Sequence, residues 1–230
     1  MLFTLCFPQA ANSMDKNKIA VDIFDKLADL YQSKFMDVSL YHDTFDLFCR
    51  YVNQEKAAIL ELACGPGNIT QYLLSQHPDF RILATDLAPH MLDLARKNNP
   101  SAEFQVLDCR DIGELTMPYV GLMCGFCLPY LSKEEAVQLI ANASKLLVDG
   151  GVLYLSTMED DYANSGWRTG STGDKMYQYF HEEAYLNDAL TKNGFEILNV
   201  IRKKSPGPDD TVVVDLVIIA KASDTKWPQQ

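Results

Sequence analysis

The feature that most constrains this chain is a change of period at residue 57. Before it, apolar residues recur at helical spacing. Ile19, Ile23, Leu27, Leu30 and Tyr31 share one face of a helix expected over 18–33, and Phe45, Phe48 and Val52 share one face of a second over 42–53. At Ala57 the pattern becomes a continuous run, Ala57-Ala58-Ile59-Leu60-Glu61-Leu62-Ala63, closed by Cys64-Gly65-Pro66-Gly67. A short apolar run ended by glycines predicts a strand buried on both faces, which belongs to a parallel sheet. A helix is expected from Asn68, a good N-cap residue.

The alternation then repeats. Strands are predicted over Phe80–Thr85, Glu103–Leu107, Tyr119–Gly125 and Val152–Thr157. Between them Pro89 marks a helix start and Ser132-Lys133-Glu134-Glu135 forms a capping box. Asp149-Gly150-Gly151 supplies a stop signal. A helix over 182–192 and strands over Phe195–Ile201 and Thr211–Ala220 close the chain. The link Ser205–Asp210 is too short for a parallel crossover, so the last two strands pair antiparallel. The expected fold class is α/β: a three-layer sandwich with a mostly parallel seven-stranded sheet and a C-terminal antiparallel hairpin.

A chain of 230 residues with 47% hydrophobic content supports one core. We expect a single domain over 18–222, with a helical cap over 18–56 and a lid loop over 158–181. The lid holds Tyr162, Trp167, Tyr177, Tyr179 and Phe180, aromatic walls for a substrate pocket. Residues 1–17 are expected as a disordered or non-native leader, with Met14 the natural start, and 223–230 as a tail. A net charge of −11 argues against a nucleic-acid partner. The one basic cluster, Arg202-Lys203-Lys204, reads as a solvated strand end. Six cysteines fit no disulfide framework, and Cys124-x-x-Cys127 has no second pair to build a metal site. No apolar run reaches the ~18 residues of a membrane span. A cytoplasmic monomer or homodimer without a metal is the expectation.

Ligands of open parallel sheets bind beyond the carboxyl ends of the strands. Three features fall there: the bend from Glu61 to Asn68, Asp86 nineteen residues after Gly67, and Asp108 after the third strand. Asp86 can accept from both ribose hydroxyls and Asp108 from an adenine amino group. A dinucleotide needs the spacing GxGxxG for its pyrophosphate, but the third glycine position is Thr70 and Pro66 has no N–H to donate. Glu61 repels a pyrophosphate and suits an ammonium near a sulfonium. Charge complementarity therefore favours S-adenosylmethionine over a nicotinamide dinucleotide.

The segments ILELACGPGNIT, ILATDLAPHMLDLAR, FQVLDCRDI and KLLVDGGVLYLST together resemble the class I, Rossmann-like S-adenosylmethionine-dependent methyltransferases of the small-molecule type. The family's first glycine is Ala63 here, and Ala88 stands where a serine often caps the helix. The resemblance implies that Glu61, Ala63, Cys64, Gly65 and Gly67 line the methionine end. It implies that Asp86 holds the ribose, Leu87 and Met91 flank the adenine, and Asp108 and Cys109 read its edge. Phe126 would lie under the methyl group, with Tyr31 and Lys34 closing over the cofactor. Methyl transfer to a small-molecule O, N or C acceptor is the implied activity, and a non-catalytic binder of S-adenosylmethionine or S-adenosylhomocysteine the alternative. Candidate catalytic residues are His181, as a base, and Tyr130, as an acceptor contact. Cys127-Leu128-Pro129-Tyr130 replaces the motif used on base amines, which again argues against nucleic acid.

Overall fold

Burial on both faces decides the middle of the sheet. The computed structural model describes residues 15–206 and 211–223. Strand β1 (Ala58–Leu62) carries four successive buried residues. It pairs in parallel with β2 (Arg81–Asp86) and β4 (Tyr119–Cys124). Strand β3 (Glu103–Val106) adds beside β2, and β5 (Leu147–Met158) beside β4, both parallel. The antiparallel pair β8 (Phe195–Pro206) and β9 (Val212–Ala222) completes the seven-stranded order β3-β2-β1-β4-β5-β9-β8. The order reverses between β1 and β4, so a crevice opens at their carboxyl ends.

Helices cover both faces. On one, α6 (Lys133–Leu146) and α7 (Glu183–Lys192) set Leu139, Ile140 and Leu190 against Leu60, Leu122 and Leu153. On the other lie α3 (His42–Val52), α4 (Asn68–Gln76) and α5 (Pro89–Asn98). They bury Phe45, Phe48, Leu73 and Leu92 against Ile59, Met123 and Tyr154. Each such fully buried side chain contributes roughly 1.5–3 kcal/mol. The capping box at Ser132 and Glu135 forms as expected.

Several expectations are corrected. The helix over 18–33 is two helices, α1 (Lys16–Lys26) and α2 (Ala28–Phe35), broken at Leu27 with φ −106° and ψ 18°. Their inward face is Ala20, Phe24, Ala28 and Tyr31, while Leu30 is 38% exposed. Ala28 packs on Ala88 and Met91 at the start of α5, with Phe24 and Tyr31 around them. Residues 15–17, expected within a leader, belong to the fold: Asp15 caps α1, and buried Asn17 donates to the Tyr130 carbonyl at 3.2 Å. Met14, Cys6 and residues 224–230 lie outside the described residues. The N-cap of α4 is Gly67, left-handed at φ 80°, and Asn68 follows it as the first helical residue. Helix α6 stops at Leu146, and Asp149-Gly150-Gly151 lies within β5, with Gly150 at φ 74°.

The loop expected over 158–181 contains a hairpin of β6 (Gly166–Thr169) and β7 (Lys175–Gln178). It braces the outside of α1, with Lys16 Nζ 3.5 Å from the Tyr177 ring centre and Lys26 paired to Asp174 at 2.9 Å. The basic cluster on β8 is ion-paired: Arg202 to Glu159 and Glu183, and Lys203 to Asp43, each at 2.6 Å.

Candidate active site

The bend after β1 needs left-handed backbone. Ala63, Gly65 and Gly67 have φ of 51°, 54° and 80°. At Gly67 a side chain is also blocked, because a Cβ would sit 2.4 Å from Asn99 Nδ2. That amide donates to the Gly67 carbonyl at 2.9 Å, fixing the bend against α5. Ala63 takes the same conformation with a methyl, at a steric cost of about 1 kcal/mol. Asp86, at the tip of β2, staples the bend to the start of α5. Its Oδ2 accepts from Gly65 N and its Oδ1 from Ala88 N, both at 2.8 Å. Each oxygen keeps acceptor capacity for a ligand hydroxyl, and burial raises this carboxyl above its ordinary range.

These groups border a cavity of about 780 Å³, open solvent at its mouth included. Its floor is the strand ends, and its roof is Asn17, Ala20, Val21 and Phe24 of α1 with Tyr31 of α2. Of the residues singled out from sequence, Tyr31, Ala63, Gly65, Asp86, Leu87, Met91, Asp108, Cys109, Phe126 and Tyr130 line it. Glu61, Cys64, Gly67 and Lys34 do not. Sequence reasoning missed the four α1 residues, and also Leu107, Gly125 and Cys127. The last three sit beside predicted residues at strand tips, so the strand-end rule could have found them. Nothing in α1 marks it as a roof. Cys127 belongs to the cysteine pair set aside as a metal or redox motif; its Sγ lies 3.2 Å from that of Cys109. Residues 158–181, expected as an aromatic acceptor wall, contribute nothing to this lining, because their hairpin packs behind α1.

Among the described residues, the cavity wall holds two carboxylates, Asp86 and Asp108, and no Lys, Arg or His. Asp108 is held by Arg110, whose guanidinium reaches its Oδ2 at 2.6 Å. Arg110 also pairs with Asp15 and Glu135, tying the cap of α1 to the cavity and to α6. Beneath the bend, buried Glu61 accepts from Thr70 Oγ1 at 2.7 Å through one oxygen. Its other oxygen has no partner, and burial pushes the carboxyl up to about 8. Burial, then the Asp86 charge, pushes the Tyr31 phenol up to about 12. Tyr130 packs edge-on against Phe24 at 5.0 Å, and burial raises its phenol also.

His181 is corrected as a base candidate. It is neither exposed nor a helix cap: fully buried, it bonds the Leu128 carbonyl through Nε2 at 2.8 Å and the Tyr185 hydroxyl through Nδ1. It lies outside the cavity lining, and burial lowers its pKa, so it serves as a neutral tie between loops. Among the described residues, no group of three His, Cys, Asp or Glu side chains is placed to hold a metal ion.

A parallel sheet in this order, with an acid-stapled bend at its switch point, defines the class I, Rossmann-like methyltransferase fold. Residues 59–151 match the family model described as a methyltransferase domain. Among curated relatives, trans-aconitate 2-methyltransferase of Methylobacterium nodulans is 31% identical over 108 residues, covering 47% of this chain and 41% of that protein. The chain thus matches about two fifths of the length of the first curated relatives. Among solved structures, magnesium protoporphyrin IX methyltransferase of Synechocystis, with bound S-adenosylmethionine, superposes at TM-score 0.69 and 18% identity, covering 93% of this chain and 100% of that one. A Burkholderia thailandensis 1,6-didemethyltoxoflavin N1-methyltransferase gives TM-score 0.68 at 20% identity, covering 96% and 94%. Those likenesses establish the fold; function rests on the site.

Proposed function

We propose that this chain binds S-adenosylmethionine in the cavity and transfers its methyl group to a small molecule. The observation that carries the reading is the acid Asp86 at the sheet's switch point, in a cavity with no Lys, Arg or His among its described lining residues. A dinucleotide would set its pyrophosphate beside Pro66, with no Lys or Arg in the wall to neutralise it. A cationic adenosyl ligand fits the same residues. The spare lone pairs of Asp86 suit ribose hydroxyls, Leu87 and Met91 give the adenine an apolar slot, and Asp108 an edge acceptor. When bound, the cofactor supplies an electrophilic methyl on a sulfonium, the hard part of the chemistry. The protein's part is then to hold the acceptor about 3 Å from that carbon and exclude water, as the roof of α1 and the Phe126 and Tyr130 walls are placed to do.

Relatives that match part of the chain are named for small-molecule or carrier-bound acceptors, trans-aconitate and malonyl-[acyl-carrier protein] among them. This supports a small acceptor over nucleic acid. The reading takes a cytoplasmic protein, monomer or homodimer; among the described residues no helix is long and apolar enough to cross a membrane. Calorimetry and thermal shift test it. S-adenosylmethionine and S-adenosylhomocysteine should stabilise the protein and NAD should not. Asp86→Ala should weaken binding by about 100-fold, the loss of two charge-assisted hydrogen bonds. Stabilisation by NAD alone would reverse the assignment, and labelled-methyl transfer separates catalysis from binding.

A further inference from the structure

Phe126, which lines the cavity just past the end of β4, is held in an uncommon way. Its φ is 56°, left-handed for a bulky residue. Its N–H donates to Ser156 Oγ on β5 at 2.9 Å. Its ring packs edge-on against Tyr41 at 5.0 Å. Tyr41 comes from the 3₁₀ turn Ser39–Tyr41 ahead of α3, and its hydroxyl donates to Asp215 Oδ2 at 2.7 Å. Asp215 pairs across from Met158, at the carboxyl end of β5, and is 5% exposed. So a phenol bonded to a buried acid flanks Phe126, which itself lines the cavity, and the cofactor reading gives neither a task.

Two further observations bear on the acceptor. Among the described residues no Lys, Arg or His lines the cavity, and Lys203, directly across from Asp215 on β8, is committed to Asp43 at 2.6 Å. A carboxylate acceptor would face Asp86 in the wall and Asp215 beside Phe126, with Arg110 already committed to Asp108 and Lys203 to Asp43. A neutral acceptor has the opposite need, because the proton on its oxygen or nitrogen must leave as the methyl arrives.

Resting on the methyltransferase reading, we propose that Tyr41 and Asp215 form the acceptor side of the site, and that the acceptor is an uncharged alcohol, phenol or amine. The acceptor O–H or N–H gives its proton to Tyr41 Oη as the Tyr41 proton passes to the Asp215 carboxylate. The acceptor's freed lone pair bonds the methyl carbon while the carbon–sulfur bond breaks and its electron pair returns to sulfur. Tyr41 is the contact and Asp215 a positioning residue acting through it. The groups that face Asp215 are Tyr41, Tyr154 of β5, and Lys203 of β8 with its partner Asp43 of α3. Burial raises the Asp215 carboxyl, moderated by the Tyr41 bond, which moves it toward the range useful to a base.

The test uses the full chain with labelled S-adenosylmethionine and two acceptor sets: neutral hydroxylated and aminated heteroaromatics, and the carboxylates trans-aconitate and malonate. Transfer to a neutral member is expected, rising with pH as Asp215 loses its proton. Asp215→Asn should lower it about 100-fold and flatten that limb, with partial rescue in Asp215→Glu. Tyr41→Phe should weaken acceptor binding to the S-adenosylhomocysteine complex about ten-fold, read by calorimetry. Both variants should keep S-adenosylmethionine affinity within about two-fold, since neither residue touches its cavity. If Asp215→Asn does not fold, Tyr41→Phe, at a half-buried ring, carries the test. Transfer to the carboxylates, transfer to no member, or an unchanged pH profile in Asp215→Asn overturns the proposal. Failure of the wild-type chain to bind S-adenosylmethionine overturns this and the function on which it rests.

Discussion

Ala63 sets side chain and backbone against each other: its φ of 51° suits glycine, yet it carries a methyl into the cavity wall. Ala63→Gly should therefore stabilise the fold by about 1 kcal/mol, read as a higher urea midpoint at unchanged slope. Two residues earlier, Glu61 stores a pH dependence. Burial raises its carboxyl from 4.5 to about 8, and Thr70 offsets part of that. The fold thus holds a proton that the unfolded chain has already released between those two pH values. Stability from this group is full below the lower value, declines as pH rises through the window, and levels off above the upper one. Glu61→Gln should flatten that decline, measured by urea unfolding at pH 5 and pH 8. A slope that survives the substitution would place the proton elsewhere.

Among the elements, α1 decides whether the cavity exists as a closed space. It is held at both ends and from behind. Arg110 grips its cap through Asp15, Asp25 accepts from the His90 backbone at 2.7 Å, and the β6–β7 hairpin braces it through Lys16 and Lys26. Arg110→Ala would leave Asp108 and Asp15 without their shared cation. Amide exchange across Lys16–Lys26 should then quicken by about ten-fold or more while the sheet stays protected, since a helix with few buried contacts opens locally. Equal exchange in both proteins would show that the hairpin alone suffices. The segment 158–181 thus works as a strut behind the roof, although its aromatics suggested a wall in front of the substrate.

At the scale of the molecule, what could be foreseen separates cleanly from what could not. Sheet class, the antiparallel close and the glycine bend were legible because each follows from local periodicity and from the strand-end rule. Asp86 and Asp108 were legible for the same reason. The phase of α1 and α2 was not: Ala20 and Ala28 carry almost no hydrophobic signal, and Ala28 is buried by Ala88 and Met91 at the start of α5, far along the chain. His181 looked catalytic because a histidine beside a helix start is chemically suggestive; Tyr185 lies one helical turn on, but its other partner, the Leu128 carbonyl, comes from 53 positions away. Tyr41 and Asp215, 174 positions apart, meet only because β9 runs backwards beside β5. The roof over the cavity has one more consequence. Its cap, one acid of the wall and the first turn of α6 share a single guanidinium, so natural variation at Arg110 would disturb roof, wall and far helix together.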